Sequence, residues 1–414
     1  MTFTDSEAYV DSTTASTEAA YNIHLMKTCL FAYGFRSNFF LAGVAGVLLV
    51  PIWAVSFVAG TPLGSGWPPT LWHAHEMLFG FIASALAGFM LTAVPSWTGE
   101  KGFAGAPLIA LAAVWVSARL LLASSSLWPP LLPAIVDLAF LPFLAVLVMI
   151  PLLRSRNRNT PLLVVLGALW LTNLGFHVAL IQHDAPMARH SLIVGIDIVL
   201  LLVTVVGGRI VPAFTTAALR QQGIEGALKS RTALTVVSVA AMAGVIASDI
   251  LCADSGTAGL VAGFAALVQF MRLLQWRSLR TLRQPLVWIL HLAYLWLPVG
   301  LGLKAAALLG GYGFAAFWLH ALTIGALTTM ITAVMTRAAL GHTGRPLVVH
   351  PMIIAAYVLL TAGALLRVFG LSLLGLSYPL VITWAAIFWT ASFALFLGVY
   401  TPILWGPRAD GKPG

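Results

Sequence analysis

The residues in this sequence that are best suited to chemistry are its histidines. Ten histidines occur in a chain of 414 residues in which only 8% are charged. Seven of them fall inside or beside long apolar segments. Neutral imidazole is a common ligand of haem iron and copper, so histidines in apolar surroundings predict a bound redox cofactor. The seven are His73, His75, His177, His183, His190, His291 and His320.

The densest group of reactive side chains is the segment WHAHEM at residues 72–77. His73 and His75 lie about 200° apart around a regular helix, so they could share one metal only if that turn is unwound. Otherwise the two histidines serve different partners. Glu76 follows His73 by three residues, near the same helix face, and could hold the imidazole N–H or carry protons. The simpler interpretation of Glu76 is an interfacial carboxylate near a helix start.

A recurring pattern links three of the apolar segments. In each, a histidine is followed five residues later by glycine, and the segments lie four helices apart. This spacing predicts a threefold repeat, in which three arcs of four helices each bring a histidine toward a common region. His177, one turn after Asn173, would join that region, whereas His291 lies alone and is either structural or the start of a proton path. The repeated pairs are His75 with Gly80, His190 with Gly195, and His320 with Gly325.

The elements that must position these side chains are membrane-spanning helices. Hydrophobic residues make up 60% of the chain, and the mean hydropathy is +0.96. This composition excludes a soluble enzyme, a disordered chain and a nucleic-acid-binding domain. We predict an all-α polytopic membrane protein with twelve transmembrane helices. The helices are predicted at residues 39–60, 73–97, 106–123, 131–152, 161–182, 190–208, 233–252, 257–275, 285–309, 316–336, 350–371 and 378–404.

The distribution of charge predicts the direction of these helices. Almost all of the 22 lysines and arginines fall on one side of them, whereas the loops of the other side contain only Arg189. Because cytoplasmic loops are enriched in basic residues, both termini are predicted in the cytoplasm. Three basic residues lie within helices, where they either reach the interface or pair with acidic groups such as cofactor propionates. These three are Arg119, Lys304 and Arg367.

The predicted organisation is a single membrane domain with short tails. Residues 1–38 are polar and are predicted to form a mobile cytoplasmic tail. Residues 39–404 are predicted to form the twelve-helix membrane domain, and residues 405–414 a short cytoplasmic tail. The two cysteines, Cys29 and Cys252, are too few for a disulfide framework or a cysteine-ligated zinc site.

Several long motifs make this sequence similar to the NnrS family, over roughly residues 33–404. The resemblance implies a bacterial inner-membrane protein that contains haem and copper. It also implies a role in denitrification and in resistance to nitric oxide. The three arcs resemble the catalytic subunit of haem–copper oxidases, although no adjacent pair of histidines occurs here. The motifs are GFR (34–36), WHAHEMLFGF (72–81), LTAVPSWTG (91–99), GRIVP (208–212), HLAYLWLP (291–298), HALTIG (320–325) and RAALGHTGRP (337–346).

Together, the histidines and the resemblance predict b-type haem and copper, with Glu76 as the candidate catalytic residue. The predicted ligands are His73, His75, His177, His190 and His320. Three functions stay open at this point. The protein could reduce nitric oxide with electrons from a quinol or another membrane donor. It could instead be a non-catalytic haem sensor or protective protein against nitrosative stress, or a membrane transporter for a metal or haem. Nitric oxide and the lipid bilayer are the expected partners.

Overall fold

Twelve membrane-spanning helices make up most of the described chain. The computed structural model describes residues 29–61, 63–224, 228 and 231–412. Within these ranges it contains no β-strand, and twelve helices are long and apolar enough to cross a membrane. The predicted fold class is therefore confirmed. The helices are α1 (Gly34–Ala59), α2 (Pro69–Thr98), α3 (Ala106–Ala123), α4 (Leu131–Arg154), α5 (Leu162–Ile181), α6 (Ala185–Gln221), α7 (Thr232–Cys252), α8 (Gly256–Leu274), α9 (Pro285–Gly310), α10 (Gly313–His342), α11 (Pro351–Phe369) and α12 (Tyr378–Trp405).

The described chain ends give the bundle a direction. Because the number of crossings is even, the start of α1 and the end of α12 lie at the same end of the bundle, here called the near end. The opposite end, called the far end, contains the starts of the even-numbered helices. Most of the predicted N-terminal tail, residues 1–28, lies outside the described residues, as do residues 413–414.

Helix α1 begins at Gly34, earlier than the predicted start at residue 39, because its polar first turn has a structural role. Arg36 is fully buried. Its guanidinium donates hydrogen bonds to the carbonyl oxygens of Leu404 at 2.9 Å and Gly406 at 2.8 Å. Carbonyls at a helix C-terminus lack an intrahelical donor. Arg36 therefore caps the end of α12 and ties it to the start of α1.

Helices α2 and α6 form the centre of the bundle. In α2, 83% of the most apolar stretch is buried, and in α6 72%, against 33% in the peripheral helices α5 and α7. Helix α2 continues from His75 directly into a π-helical segment, Glu76–Ile82. Helix α10 does the same after His320, at Ala321–Thr328. Such segments occur frequently at functional sites. Helix α6 has its π-helical segment later, at Val203–Gly207, and the arrangement in three arcs stays a prediction.

Helix α1 packs closely against α12, and this contact shapes an internal cavity. A Cβ atom at Gly46 would lie 2.5 Å from the ring of Phe393, so only glycine permits this approach. Trp389 of α12 donates from its indole nitrogen to the Gly46 carbonyl at 2.8 Å. The close crossing brings Trp53 of α1 and Trp389 to the wall of the same cavity.

Candidate functional site

Four helices bring six polar side chains together inside the far end of the bundle. His75 of α2 is fully buried, and both of its ring nitrogens have partners. Its Nδ1 lies 3.2 Å from Glu76 Oε1, and its Nε2 lies 3.2 Å from Asp137 Oδ2. His177 of α5 reaches the same Asp137 oxygen, 3.0 Å from its Nε2. We call this group the α2–α5 cluster; it consists of His75, Glu76, Arg119, Asp137, Asn173 and His177.

Arg119 of α3 is the cation of the α2–α5 cluster. Its guanidinium donates to Glu76 Oε1 at 3.1 Å and forms an ion pair with Asp137. Buried charges persist only when they are paired and hydrogen-bonded, and Arg119 and His75 each contact both acids of the cluster. Gly80 provides the space, because a Cβ atom there would lie 3.0 Å from Arg119 Nη1. The small residue at position 80 therefore serves packing around this ion pair.

Aromatic rings close the α2–α5 cluster. Phe176 stacks on His75 with ring centroids 4.6 Å apart. The ring of Trp67, from the connection before α2, lies edge-on to His75 at 5.7 Å and to His177 at 6.0 Å. His75 and His177 are at most 4% exposed. The cluster is consequently a largely buried network of charged and polar groups, covered by aromatic rings.

The α2–α5 cluster contains atoms that could ligate a metal ion. Ligand atoms of His75, Asp137 and His177 all lie within 4.8 Å of one another. Two imidazoles and a carboxylate suit copper, zinc or iron. The same atoms already hydrogen-bond one another, and the Asn173 amide donates to Asp137 Oδ2 at 2.7 Å. A metal ion would therefore replace existing hydrogen bonds rather than enter open space.

A cavity of about 400 Å³ lies beside the α2–α5 cluster, between α1, α2, α6, α10, α11 and α12. We call it the central cavity. His73 of α2 and His320 of α10 line it, together with Arg367 of α11. Trp53 stacks on His73 at a centroid distance of 4.0 Å. Most of the remaining wall is apolar: Met77, Leu78, Phe81, Ile193, Ile196 and Trp389.

Three residues that line the central cavity each carry a buried polar atom with no hydrogen-bond partner among the described residues. The atoms are Trp53 Nε1, His73 Nδ1 and Arg367 Nη1. The other terminal nitrogen of Arg367 donates to the Tyr378 hydroxyl at 3.1 Å. In the described part of the chain no carboxylate pairs with Arg367. Each buried polar atom left unpaired costs about 1–3 kcal/mol. The wall of this one cavity therefore carries three polar side chains that the described chain does not fully satisfy, as expected where a ligand binds.

The two histidines of α2 point to different regions. His75 lies in the α2–α5 cluster, and His73 lines the central cavity, as expected for two positions about 200° apart on a regular helix. Glu76, expected beside His73, instead pairs with His75 and Arg119. The reason is the guanidinium that α3 contributes, which draws the carboxylate to the other side of α2.

The other histidines are divided between these two regions and more distant positions. His320 joins His73, and His177 joins His75. His190 is partly exposed and lies in neither group; its neighbour Arg189 lines the central cavity instead.

Two further histidines lie outside both regions. His183 is exposed in the connection before α6, with a φ of +59°. His291 lies toward the near end, where its ring nitrogens bond to the hydroxyls of Thr215 at 2.8 Å and Ser278 at 2.9 Å. These contacts account for His291 as a structural residue.

Sequence reasoning gave no role to three residues that the structure places in these regions. The sequence signal for Asp137 is an acidic residue within an apolar segment, where such residues are rare. Asn173 served only to locate His177, yet its amide bonds to Asp137. Trp53 gave no signal, because a tryptophan in a membrane helix is ordinary. Its importance lies in the tertiary stacking on His73.

Comparison with known proteins identifies the chain's relatives. The model of the NnrS protein family matches residues 29–408. The chain belongs to the NnrS family. It is therefore a multi-pass membrane protein of the nitric oxide response, and the similarity drawn from its motifs is confirmed. No curated protein matches the chain.

Proposed function

We propose that the central cavity of this NnrS-family protein binds haem and that the protein thereby handles nitric oxide. The observation that carries the proposal is the set of unpartnered buried atoms on Trp53, His73 and Arg367 around one cavity. A cavity of about 400 Å³ falls in the size range of cofactor sites. His73 and His320 would hold the iron, and Arg367 would pair with a propionate.

The residues around the central cavity suit a flat, mostly apolar cofactor and an uncharged gas. When bound, haem would supply an iron to which nitric oxide can bind in place of one of the two histidines. The apolar side chains of Phe81, Ile196 and Leu360 exclude water from the cavity. Trp53 holds the ring of His73 in one plane by stacking on it. These side chains would therefore surround the cofactor, orient its histidine ligand and keep water away from it.

A second candidate role is a metal site in the α2–α5 cluster, and copper is the metal that we propose. It is favoured by ligand atoms of His75, Asp137 and His177 within 4.8 Å of one another. An ion there would have to replace the bond between His177 and Asp137. Copper measured in wild type and in His177→Gln tests this role. Equal copper in both proteins would remove the cluster from consideration.

The proposed setting is the bacterial inner membrane, with both termini in the cytoplasm. The basic residues at the near end support a cytoplasmic position for both termini; among them are Arg154, Arg220, Arg280 and Arg345. The central cavity would then lie in the half of the membrane that faces away from the cytoplasm. In this setting the protein would act in denitrification or against nitrosative stress.

Reduction of nitric oxide and its stoichiometric capture make different demands on the protein. Reduction consumes protons and electrons, so it requires a quinol or another membrane donor. Capture by a haem sensor or protective protein requires neither. A transporter would need helices broken at the midplane, but α2, α6 and α10 continue through their π-helical segments. The decision between reduction and capture is therefore kinetic.

The first experiment is the visible spectrum of purified, detergent-solubilised protein, reduced and then exposed to nitric oxide. Wild type is expected to show a Soret band that shifts with the gas. His320→Ala should lose this band, and Arg367→Gln should bind haem more weakly. His190→Ala is the matched control, since His190 lies outside both regions, and it should keep the band. Haem retained by both His73→Ala and His320→Ala would overturn the proposal. If wild type shows the band, catalytic loss of nitric oxide in the presence of an electron donor would identify the protein as an enzyme.

A further inference from the structure

A third group of buried ionisable residues joins α6, α7 and α9. It consists of Asp197, Asp249 and Lys304, whose exposures are 1%, 2% and 3%. Lys304 forms an ion pair with Asp249. The ammonium of Lys304 also lies 4.8 Å from the ring centre of Trp318 in α10. We call these three ionisable residues the aspartate–lysine triad.

The charges of the aspartate–lysine triad do not balance when all three groups are ionised. Two carboxylates face a single ammonium, which leaves one negative charge in a membrane interior. The side chains of Asp197 and Asp249 also lie within hydrogen-bond reach of each other. Two ionised carboxylates have no hydrogen to share and repel each other, so a hydrogen bond between them requires a proton on one of them. One such proton makes the triad neutral.

Asp197 is the member of the triad that forms no ion pair among the described residues. Asp197 Oδ2 is buried and has no hydrogen-bond partner among the described residues. The charged groups of the described chain that act on Asp197 are Asp249 from α7 and Lys304 from α9. Trp318, from α10, contributes an aromatic face rather than a titratable group. Asp197 is consequently the side chain that lacks a neutralising partner of its own.

The triad lies directly behind the wall of the central cavity. Ile196, which precedes Asp197 in α6, lines that cavity. Leu319, which follows Trp318 in α10, lines it too, as does His320. Helix α6 therefore carries Asp197 next to a residue of the cavity wall, and α10 carries Trp318, which contacts Lys304, next to another. A proton held by the triad is close to any chemistry that takes place in the cavity.

We propose that Asp197, Asp249 and Lys304 form a proton-binding site that carries one exchangeable proton and serves as a proton reservoir beside the central cavity. Lys304 sets the number of bound protons, because its charge neutralises one of the two carboxylates. The site itself rests on these three residues, and only its link to chemistry in the cavity rests on the proposed function. The ordinary alternative is a fixed Lys304–Asp249 ion pair with no shared proton.

Infrared spectroscopy of the purified full-length protein at neutral pH tests the site. The C=O stretch of a protonated carboxylic acid should be present in wild type and should shift when H₂O is replaced by D₂O. Asp197→Asn and Asp249→Asn should each remove the band, because the remaining aspartate pairs with Lys304. Lys304→Met should instead increase it about twofold, because a second proton must replace the lost positive charge.

Asp410→Asn is the control, since Asp410 is an exposed aspartate paired with Arg408 and should not contribute to the band. Absence of the band in wild type, or its persistence in Asp197→Asn, would overturn the inference. If Asp197→Asn does not fold, the increase in Lys304→Met still decides the question. If wild type shows the carboxylic acid band but binds no haem, the proton site is supported and the haem proposal fails. If it binds haem but shows no band, the haem proposal is supported and the proton site fails.

Discussion

The α2–α5 cluster and the central cavity begin two residues apart on the same helix, yet they differ in how their polar atoms are satisfied. Both ring nitrogens of His75 have partners, whereas His73 Nδ1 has none among the described residues. The cluster also contains its own cation, Arg119, paired with carboxylates. In the cavity, the described residues give the cation Arg367 one hydroxyl hydrogen bond and the aromatic faces of Phe317 and Tyr378, but no carboxylate. A network whose polar atoms bond to one another indicates a structural role. A cavity whose wall contains unbonded polar atoms indicates that a ligand binds there.

This comparison has an exception at the edge of the α2–α5 cluster. Glu76 Oε2 and Arg119 Nε are buried and have no hydrogen-bond partner in the described part of the chain. Both belong to groups whose other atoms are bonded, so the cluster is nearly but not fully satisfied. The contrast therefore makes quantitative predictions: the cluster should control stability, and the cavity should control cofactor content.

The largest expected effect comes from breaking the cluster. Asp137→Ala leaves Arg119 buried without its main counterion and removes the acceptor shared by His75 and His177. We expect a loss of about 3–5 kcal/mol in stability, as for other buried pairs with one partner removed. Thermal inactivation in detergent measures it. The triple variant Asp137→Leu, Arg119→Met and Glu76→Gln removes all three charges and should recover much of the loss. An unchanged single variant would contradict the role of the cluster.

The second effect separates stability from cofactor content in the cavity. Arg367→Met removes an unsatisfied buried cation, so cofactor-free protein should be as stable as wild type or more stable. The same variant should bind haem at least about tenfold more weakly, because a charge-assisted bond to a propionate is lost. Haem titration and thermal inactivation of the same samples check both parts. A marked loss of stability without loss of haem would assign Arg367 to structure.

The smallest effect concerns the space that Gly80 leaves for Arg119. In Gly80→Ala the new Cβ atom would lie 3.0 Å from Arg119 Nη1 and 3.3 Å from Leu49 Cδ1, so the ion pair must shift. We expect a loss of about 1–3 kcal/mol with haem content unchanged. The control is Gly167→Ala, because nothing lies within 4 Å of a Cβ atom there. Equal stability of the two variants would show that Gly80 has no packing role.

Much of the fold could be predicted from the sequence, because apolar length and charge alternation define membrane helices locally. The positions of the helix ends were harder to predict. Helix α1 starts at Gly34 because Arg36 bonds to α12, a contact between opposite ends of the chain. The predicted end of α6 at residue 208 was too early, because the last turns of the helix, up to Gln221, are less apolar than a membrane segment. Hydrophobicity cannot report either feature.

The candidate site was predictable where it depends on helix geometry and unpredictable where it depends on tertiary contacts. The separation of His73 from His75 follows from the rotation of about 100° per residue around an α-helix. The partner of Glu76 does not, because Arg119 comes from another helix. The repeat predicted His190 beside His320, but rotation of α6 turns Arg189 toward the cavity instead. The aspartate–lysine triad likewise joins residues from three helices.

The most direct test of the central claim is the haem content of His73→Ala and His75→Ala, purified and measured side by side. The two substitutions are chemically identical and lie two residues apart on α2. We predict that His73→Ala loses its haem, whereas folded His75→Ala keeps it and is less stable. Full haem in His73→Ala together with its loss from folded His75→Ala would contradict the assignment and move the haem site to the α2–α5 cluster.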